Sequence, residues 1–265
     1  MISLFVSNSD PKNTSNNGSQ VTLALNPAVM LNPDKKYYAS AVEVDIVFCF
    51  ANIFTGVNDK FVYKEMKGGI LTTFTHIFSQ GLYSVSAIQD EINRITHGDV
   101  QNSSLFILEP DTSTSHIFIH FKSTTCKLDC SGADNIMQIL GYPASTGLLD
   151  AVAHVNDFYE GNNAQLNNVQ NVLLLASFVN GSYKNEQSQN VLCSITPDVG
   201  PYSTIQYRPN LNIYVPVTQQ ILDTISFSLV DQTGKPINMG YNNPGDTVEL
   251  WSARIVIVEE NKVKA

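Results

Sequence analysis

The sequence predicts an all-β protein, because short segments with the alternation of β-strands recur along the whole chain. Roughly ten such segments occur, too many for any architecture other than an all-β one. Clusters of Asn, Asp, Pro and Gly separate them, and only two segments carry helical spacing. The expected strands lie at 20–25, 37–50, 60–64, 70–78, 105–108, 116–122, 171–178, 191–196 and 204–207, before a final hairpin.

The end of the chain predicts that β-hairpin. Its first strand, 221–231, and its second, 247–258, both alternate with the period of a half-buried strand, and a Gly-rich connection separates them. The residues expected on one face of the first strand are Ile221, Asp223, Ile225, Phe227 and Leu229, and those expected on the other are Leu222, Thr224, Ser226 and Ser228. A chain that closes on such a pair closes a sandwich or a barrel.

Two segments predict helices. Segment 83–96 places Val85, Ile88, Ile92 and Ile95 on one helical face behind a capping residue, Ser84. Segment 131–141 groups its apolar residues on one face and stops at a glycine before Tyr-Pro, which indicates a short helix of about two turns. The weakest pattern lies between 143 and 168, where we expect loops.

Composition excludes several classes of protein. The net charge of −9 and the lack of a basic run argue against nucleic-acid binding. No uncharged apolar stretch of membrane-spanning length occurs. The start of the chain lacks a signal-peptide pattern, and we interpret 1–19 as a first strand or docking arm followed by a flexible loop. The four cysteines are interpreted as buried free thiols in a reducing compartment.

No residue pattern predicts catalysis, a cofactor or a metal. His116 and His120, with His76 as a third ligand, suggest a metal site, but two residues four apart on a strand lie about 13 Å from each other. The pair of cysteines at 126 and 130 has no second pair at zinc spacing. The acidic pair Glu43 and Asp45 is most simply solvated. We therefore expect no enzyme and no cofactor.

Arg208 and Arg254 are two of only three arginines, and they flank the final hairpin. One of them could anchor a neighbouring subunit through a bidentate carboxylate contact. The alternative is an intramolecular salt bridge or the capping of a loop carbonyl. The sequence leaves both alternatives open.

Several segments together resemble the penton, or minor capsid, proteins of virophages and polinton-like viruses. They are the helical segment 81–93, the stop at 139–142, the segment 209–216, the turn at 231–235 and the strand at 248–251. The resemblance spans roughly 81 to 258, and the order and spacing of its elements carry it. In that family the final strand ends in a more basic stretch, whereas this chain keeps only Arg254 there.

The resemblance implies a single jelly roll of two antiparallel four-stranded sheets, spanning 1–265, with one or two short helices. It implies a homopentamer at the fivefold vertex of an icosahedral capsid, surrounded by capsomers of a double jelly-roll major capsid protein. The expected location is the virion, assembled in the host cytoplasm or nucleus. Trp251 joins Arg208 and Arg254 as a candidate subunit contact, facing either the core or the neighbour. The surplus chain, in part 101–168, is expected as loops or an insertion.

Two other classes of function compete with the capsid interpretation. A lectin-like jelly roll would bind glycans on an aromatic platform beside Asn and Asp, for which the strand-bound Trp251 is poorly placed. A cupin-like metalloenzyme would need a His-x-His motif followed by Glu and a later His, which the five histidines do not supply.

Overall fold

In the computed structural model the chain forms two compact units. The first unit combines Met1–Phe50 with Val169–Ala265, and the inserted unit is Ala51–Asn168. The structure describes residues 1–9, 13–15, 18–96, 105–151, 158–166, 169–180, 182–184, 187–200, 202–239 and 250–263.

Strands and one α-helix make up the regular structure of these residues, numbered in chain order. The chain begins in the first unit with β1 Ile2–Ser7, β2 Gln20–Met30 and β3 Tyr37–Val47. The inserted unit follows with β4 Lys60–Lys67, β5 Ile70–Ile77, α1 Val85–Thr96, β6 Phe106–Asp111, β7 His116–Phe121, β8 Cys126–Asp129, β9 Leu148–Asp150 and β10 Phe158–Asn163. The first unit resumes with β11 Val172–Ala176, β12 Ser182–Lys184, β13 Gln187–Gln189, β14 Val191–Ile195, β15 Thr204–Tyr207, β16 Val215–Pro216, β17 Ile221–Asp231 and β18 Trp251–Glu259.

The first unit is a jelly roll. One sheet has the order β1-β18-β3-β15, with β16 also on β3, and the other has the order β14-β11-β17-β2. In sequence order, the first of the eight principal strands pairs with the last, the second with the second-last, and so on to the middle two. These antiparallel pairs are β1 with β18, β2 with β17, β3 with β15 and β11 with β14. A chain wound in this way is a jelly roll of two four-stranded sheets, so the predicted fold class is confirmed.

The predicted terminal hairpin is wrong, although both of its strands exist. β17 pairs with β2 and β11, whereas β18 pairs with β1 and β3 in the other sheet. The alternation of side chains reports which face of a strand is buried but not which strand lies beside it. The connection from Gln232 to Leu250 is long enough to cross between sheets, and its part at 240–249, with the start of the predicted second strand, lies outside the described residues.

The alternation predicted along β17 holds over its second half. Ile225, Phe227 and Leu229 are buried, but at the start of the strand Leu222 is buried and Ile221 is exposed. The register between β17 and β2 shifts between Leu222 and Thr224. A bulge of this kind moves the following residues to the opposite face, which explains why one face does not run through the whole strand.

The segment 1–19 contributes a strand to the roll. β1 forms the edge of its sheet and pairs with β18 over its whole length, from Ile2 opposite Ile257 to Ser7 opposite Ser252. Leu4 and Val6 point into the core that lies between the two sheets. The loop expected after it lies partly outside the described residues.

The inserted unit has its own sheets and its own core. One sheet has the order β5-β4-β8-β9 and the other β10-β7-β6, and buried Phe61, Ile92, Phe106 and Leu128 belong to one cluster between them. The sequence predicts loops or an insertion in part of 101–168, whereas in the structure the inserted unit begins at Ala51. β4, β5 and α1 thus belong to a second core, and alternation alone cannot assign a strand to one core or another.

The two predicted helices differ in outcome. The first is confirmed as α1, where the Ser84 hydroxyl accepts the amide of Ala87 at 3.1 Å. The second is only a 3₁₀ turn, Ile136–Gln138, which Asn135 caps by accepting the Met137 amide at 3.0 Å. Backbone hydrogen bonds from each amide to the carbonyl oxygen three residues earlier continue as far as Gly141. Ile136, Met137 and Leu140 are all buried, and this tight winding turns all three towards the core.

Gly141 supplies a test of the inserted unit, because it has φ +95° and an added Cβ would collide with the backbone carbonyl oxygen of Asn162. We expect Gly141→Ala to destabilise the unit by about 3 kcal/mol, from backbone strain and overpacking together. Hydrogen–deuterium exchange of amides in the inserted unit measures the loss.

The matched control is Gly69→Ala, where φ is +83° but nothing lies within 4 Å of the added Cβ. It carries strain alone and should cost about 1 kcal/mol. Equal losses in the two variants would show that the approach to Asn162 contributes nothing.

Candidate subunit-contact surface

Two acidic and two basic side chains form a network on the outer face of the sheet β1-β18-β3-β15. Glu43 and Asp45 lie on β3, Arg254 lies opposite Glu43 on β18, and Arg208 follows directly after β15. Val44 and Ile46, which alternate with the acids, are fully buried in the core. The alternation of β3 therefore places both carboxylates on the solvent side of the sheet.

Arg208 is the centre of this network. Its Nη2 lies 2.7 Å from Glu43 Oε1 and donates to both oxygens of Asp45 at 2.9 Å. Its Nη1 donates to the carbonyl oxygen of Val44 at 3.3 Å. Arg254 Nε lies 3.4 Å from Glu43 Oε2. The salt bridge expected as one alternative thus occurs at Arg208, whereas the carbonyl that Arg208 caps belongs to Val44 within strand β3 and not to a loop.

Trp251 lies in the core. It is 1% exposed, and its Nε1 donates to the carbonyl oxygen of Gly18 at 2.9 Å. So little surface is left that its indole cannot meet a neighbouring subunit. At the start of β18, Trp251 and Ala253 belong to the core, and Arg254 is the first exposed residue. Of the three candidate contacts, Arg208 and Arg254 are on the surface and Trp251 is not.

The two opposite edges of the same sheet expose large apolar side chains. At one edge, on β1, Phe5 is 67% exposed. At the other edge, Leu211 and Ile213 are 84% and 62% exposed in the segment between β15 and β16. The sequence predicts neither group as a contact, although the segment 209–216 carries part of the resemblance. The available signal was the alternation Asn-Leu-Asn-Ile between Pro209 and Pro216.

The segment from Arg208 to Tyr214 follows the edge of β3 without forming a strand. Before it, Tyr207 pairs with Val44, and after it, Val215 pairs with Ala39. Pro209 has no amide hydrogen and therefore cannot continue the ladder. The segment between the two short strands is held at its ends while Leu211 and Ile213 point into solvent. We call Phe5 the β1 patch, and Leu211 with Ile213 the edge patch.

The side chains considered for chemistry do not gather into a metal site. Among the described residues no group of three or more His, Cys, Asp and Glu side chains is arranged to hold an ion. Each described histidine instead faces one glutamate: His76 Nε2 lies 2.8 Å from Glu91, His116 Nδ1 lies 2.6 Å from Glu160 and His120 Nε2 lies 2.7 Å from Glu109.

The four thiols are free, and burial raises their pKa values. Those of Cys49 and Cys126 rise to about 11, and those of Cys130 and Cys193 rise to about 12. A thiol of that pKa is protonated at neutral pH and is a poor nucleophile. Cys126, Cys130 and Cys193 are buried as predicted, whereas Cys49 is half-buried and donates to the carbonyl oxygen of Met239 at 3.3 Å.

Comparison with known proteins finds a likeness only among solved structures. No family model matches the chain, and no curated protein matches it. The crystal structure of the selenomethionine-labelled mavirus penton protein matches 97% of this chain and 98% of its own, at 10% identity and a TM-score of 0.48. That protein is a penton.

The helix found in the described residues is too short to span a membrane, and no candidate membrane-spanning helix occurs there.

Arg208→Ala removes both ion pairs and the capped carbonyl, and we expect it to destabilise the first unit by about 1 kcal/mol, the upper range for exposed pairs. Arg254→Ala removes one long contact and should cost about 0.3 kcal/mol. The fluorescence of Trp251, the single tryptophan, reports equilibrium unfolding of the first unit. An equal loss in the two variants would contradict the central place of Arg208.

His116 should titrate above its ordinary value, because its hydrogen bond with Glu160 raises its pKa. Stabilisation by the charged pair is then fully present below the unfolded-state pKa of about 6.5 and is lost as pH rises through the higher folded pKa. NMR titration of the imidazole measures this pKa. In the control, Glu160→Gln, the pKa should fall towards the ordinary value, and an unchanged pKa would exclude Glu160 as the cause.

Proposed function

We propose that this chain is a structural capsid protein whose five copies form the vertex of an icosahedral particle. In this proposal the ring contacts surrounding capsomers built from a double jelly-roll major capsid protein, and the chain resides in the virion. The jelly-roll unit is the part that we assign to the ring. Jelly rolls serve as capsid domains and also as lectins and cupins, so surface features must decide between these functions.

The observation that best supports a ring is the pair of unlike apolar patches on opposite edges of one sheet. A ring requires a heterologous contact, in which one patch of a subunit meets a different patch of the next. The β1 patch and the edge patch satisfy that requirement, because β1 and the segment after β15 bound the sheet on its two sides. A twofold contact would need only one patch that is complementary to itself.

The polar network supports the same assignment. Arg208 is held by Glu43 and Asp45 immediately before the segment that carries Leu211 and Ile213. A fixed guanidinium limits the freedom of that segment at its start, and ordering an interface before binding lowers the entropy lost on association. Arg208 therefore acts as an internal anchor that presents the edge patch, while Arg254, whose side chain is more exposed, stays accessible for contact with a neighbouring subunit.

Two single-patch variants test the ring contact. Phe5→Asp should abolish rings because it removes the β1 patch, and Leu211→Asp with Ile213→Asp should abolish them because it removes the edge patch. Burial of one such side chain contributes about 2 kcal/mol, so each contact should weaken at least about thirtyfold. Mass photometry of the full chain, and electron microscopy of particles assembled with the major capsid protein, measure the rings.

An equimolar mixture of the two variants gives the sharper result. Each mixed pair keeps one intact contact, between the edge patch of one variant and the β1 patch of the other, so dimers should form and rings should not. Ile221→Asp, at an exposed apolar residue of the other sheet, is the control and should keep the ring. Rings in either single variant, or a wild-type chain that binds glycans and never assembles, would overturn the proposal.

A further inference from the structure

Strand β5 is an open sheet edge in the inserted unit. It forms one end of the sheet β5-β4-β8-β9, and among the described strands it pairs only with β4. Its eight residues, Ile-Leu-Thr-Thr-Phe-Thr-His-Ile, include no Asp, Glu, Lys, Arg or Pro. Its ladder with β4 runs without a register shift from Lys60 opposite Ile77 to Lys67 opposite Ile70. Edge strands normally carry charges, prolines or bulges that prevent pairing with another chain.

The other described edges of the inserted unit do carry such features. β6 contains Glu109, Pro110 and Asp111. β10 has an irregular register between Glu160 and Asn163, and β9 is only three residues long. Among these described edges β5 is thus the long and regular one without Asp, Glu, Lys, Arg or Pro.

The turn between β4 and β5 determines which backbone groups face outwards. Gly68 and Gly69 both have positive φ and form a two-residue connection between Lys67 and Ile70, as in a type I′ hairpin. In such a hairpin the residues that flank the turn exchange both hydrogen bonds, and the bonded pairs then alternate. Even-numbered residues of β5 therefore bond to β4, and Leu71, Thr73, Thr75 and Ile77 direct their amides and carbonyls to the open edge.

The same four residues lie on the solvent face of the sheet. They alternate with Phe74 and His76, whose side chains lie on the other face. There Phe74 stacks on Tyr63, and His76 pairs with Glu91. Leu71 and Ile77 are 42% and 59% exposed although both are apolar. The outward backbone groups and the exposed side chains of Leu71 and Ile77 thus come from one set of residues, whereas Ile70, which is 71% exposed, lies beside the turn and bonds to β4.

We propose that β5 docks a second copy of this chain by antiparallel pairing of β5 with β5. In the register that uses all four outward residues, Leu71 lies opposite the second copy's Ile77, and Thr73 lies opposite its Thr75. On the other face Phe74 meets its own counterpart, and Thr72 meets His76. Apolar, Thr–Thr and aromatic pairs are the cross-strand pairs that stabilise sheets. The edge is complementary to itself, which favours a second copy over an unrelated strand.

This contact differs in symmetry from the ring contact. Pairing of β5 with its own copy has a twofold axis and closes at two chains, whereas the ring contact joins two different patches. The β5 contact does not depend on whether the first unit forms a ring. If both contacts exist, the β5 contact joins a copy in one ring to a copy outside that ring.

A pair of charge variants tests the pairing and its register in the full chain. Thr73→Glu with Thr75→Glu places like charges opposite each other twice, and it should weaken dimerisation about tenfold or more. Thr73→Glu with Thr75→Lys places opposite charges in the same two positions and should keep wild-type affinity within about threefold. Both variants carry the same Thr73→Glu change, at the position across from Lys64 of β4, so they differ only at position 75. Sedimentation velocity across a concentration series measures the association.

Thr75→Pro supplies a second test, because it removes one outward amide without touching the ladder to β4, and Thr75→Val is its control. Dimers should be lost in the first and kept in the second. Amide exchange in β4 shows that each variant remains folded. A wild-type chain that does not associate through β5 at 100 micromolar, or equal association of the two charge variants, would overturn the proposal and leave the edge to a strand from another protein.

Discussion

The first unit depends on the pairing of its last strand between its first and third strands. β18 has β1 on one side and β3 on the other, and without it the sheet would divide into two pieces. Asn8 joins the two ends at this point: its Oδ1 accepts the amides of Leu250 and Trp251 at 2.8 and 3.1 Å, and its Nδ2 donates to Gly18. Asn8 is fully buried, so these bonds replace the water that the amide loses.

Closure by the end strands explains why the chain tolerates a large insertion. The outer pairs, β1 with β18 and β2 with β17, come from the two ends of the sequence, while the inserted unit leaves the roll after β3 and returns before β11. The inserted unit has its own buried cluster. Its addition therefore requires only that two points of the roll remain near each other, and the cost in loop closure grows slowly with length.

The sequence predicted strands well and their partners poorly, for one physical reason. Alternation records burial, and it correctly identified Ile225, Phe227 and Leu229 as one buried face of β17. It carries no information on neighbours. The pattern therefore predicts a hairpin of β17 with β18 that the fold does not contain, and a single roll spanning 1–265 where the structure has an inserted unit. Jelly-roll topology came from the resemblance and not from the pattern. For the candidate site, the rarity of arginine identifies Arg208, whereas the sequence treats Glu43 and Asp45 as solvated and only the fold shows that they pair with Arg208.

The scarcity of charge has a structural consequence that unites the two proposed contacts. Several of the few charged side chains are consumed in pairs on the faces of sheets, as with Arg208 and Asp45 or Lys127 and Asp150. Few charges are then left for the edges, where they would oppose pairing. Strands β1 and β5 contain no Asp, Glu, Lys or Arg, and neither does the segment 209–216, which carries Leu211 directly after Arg208. In a monomeric protein selection would remove such edges, whereas an assembling protein needs them. Two unlike edges lead to a ring and one self-complementary edge leads to a pair.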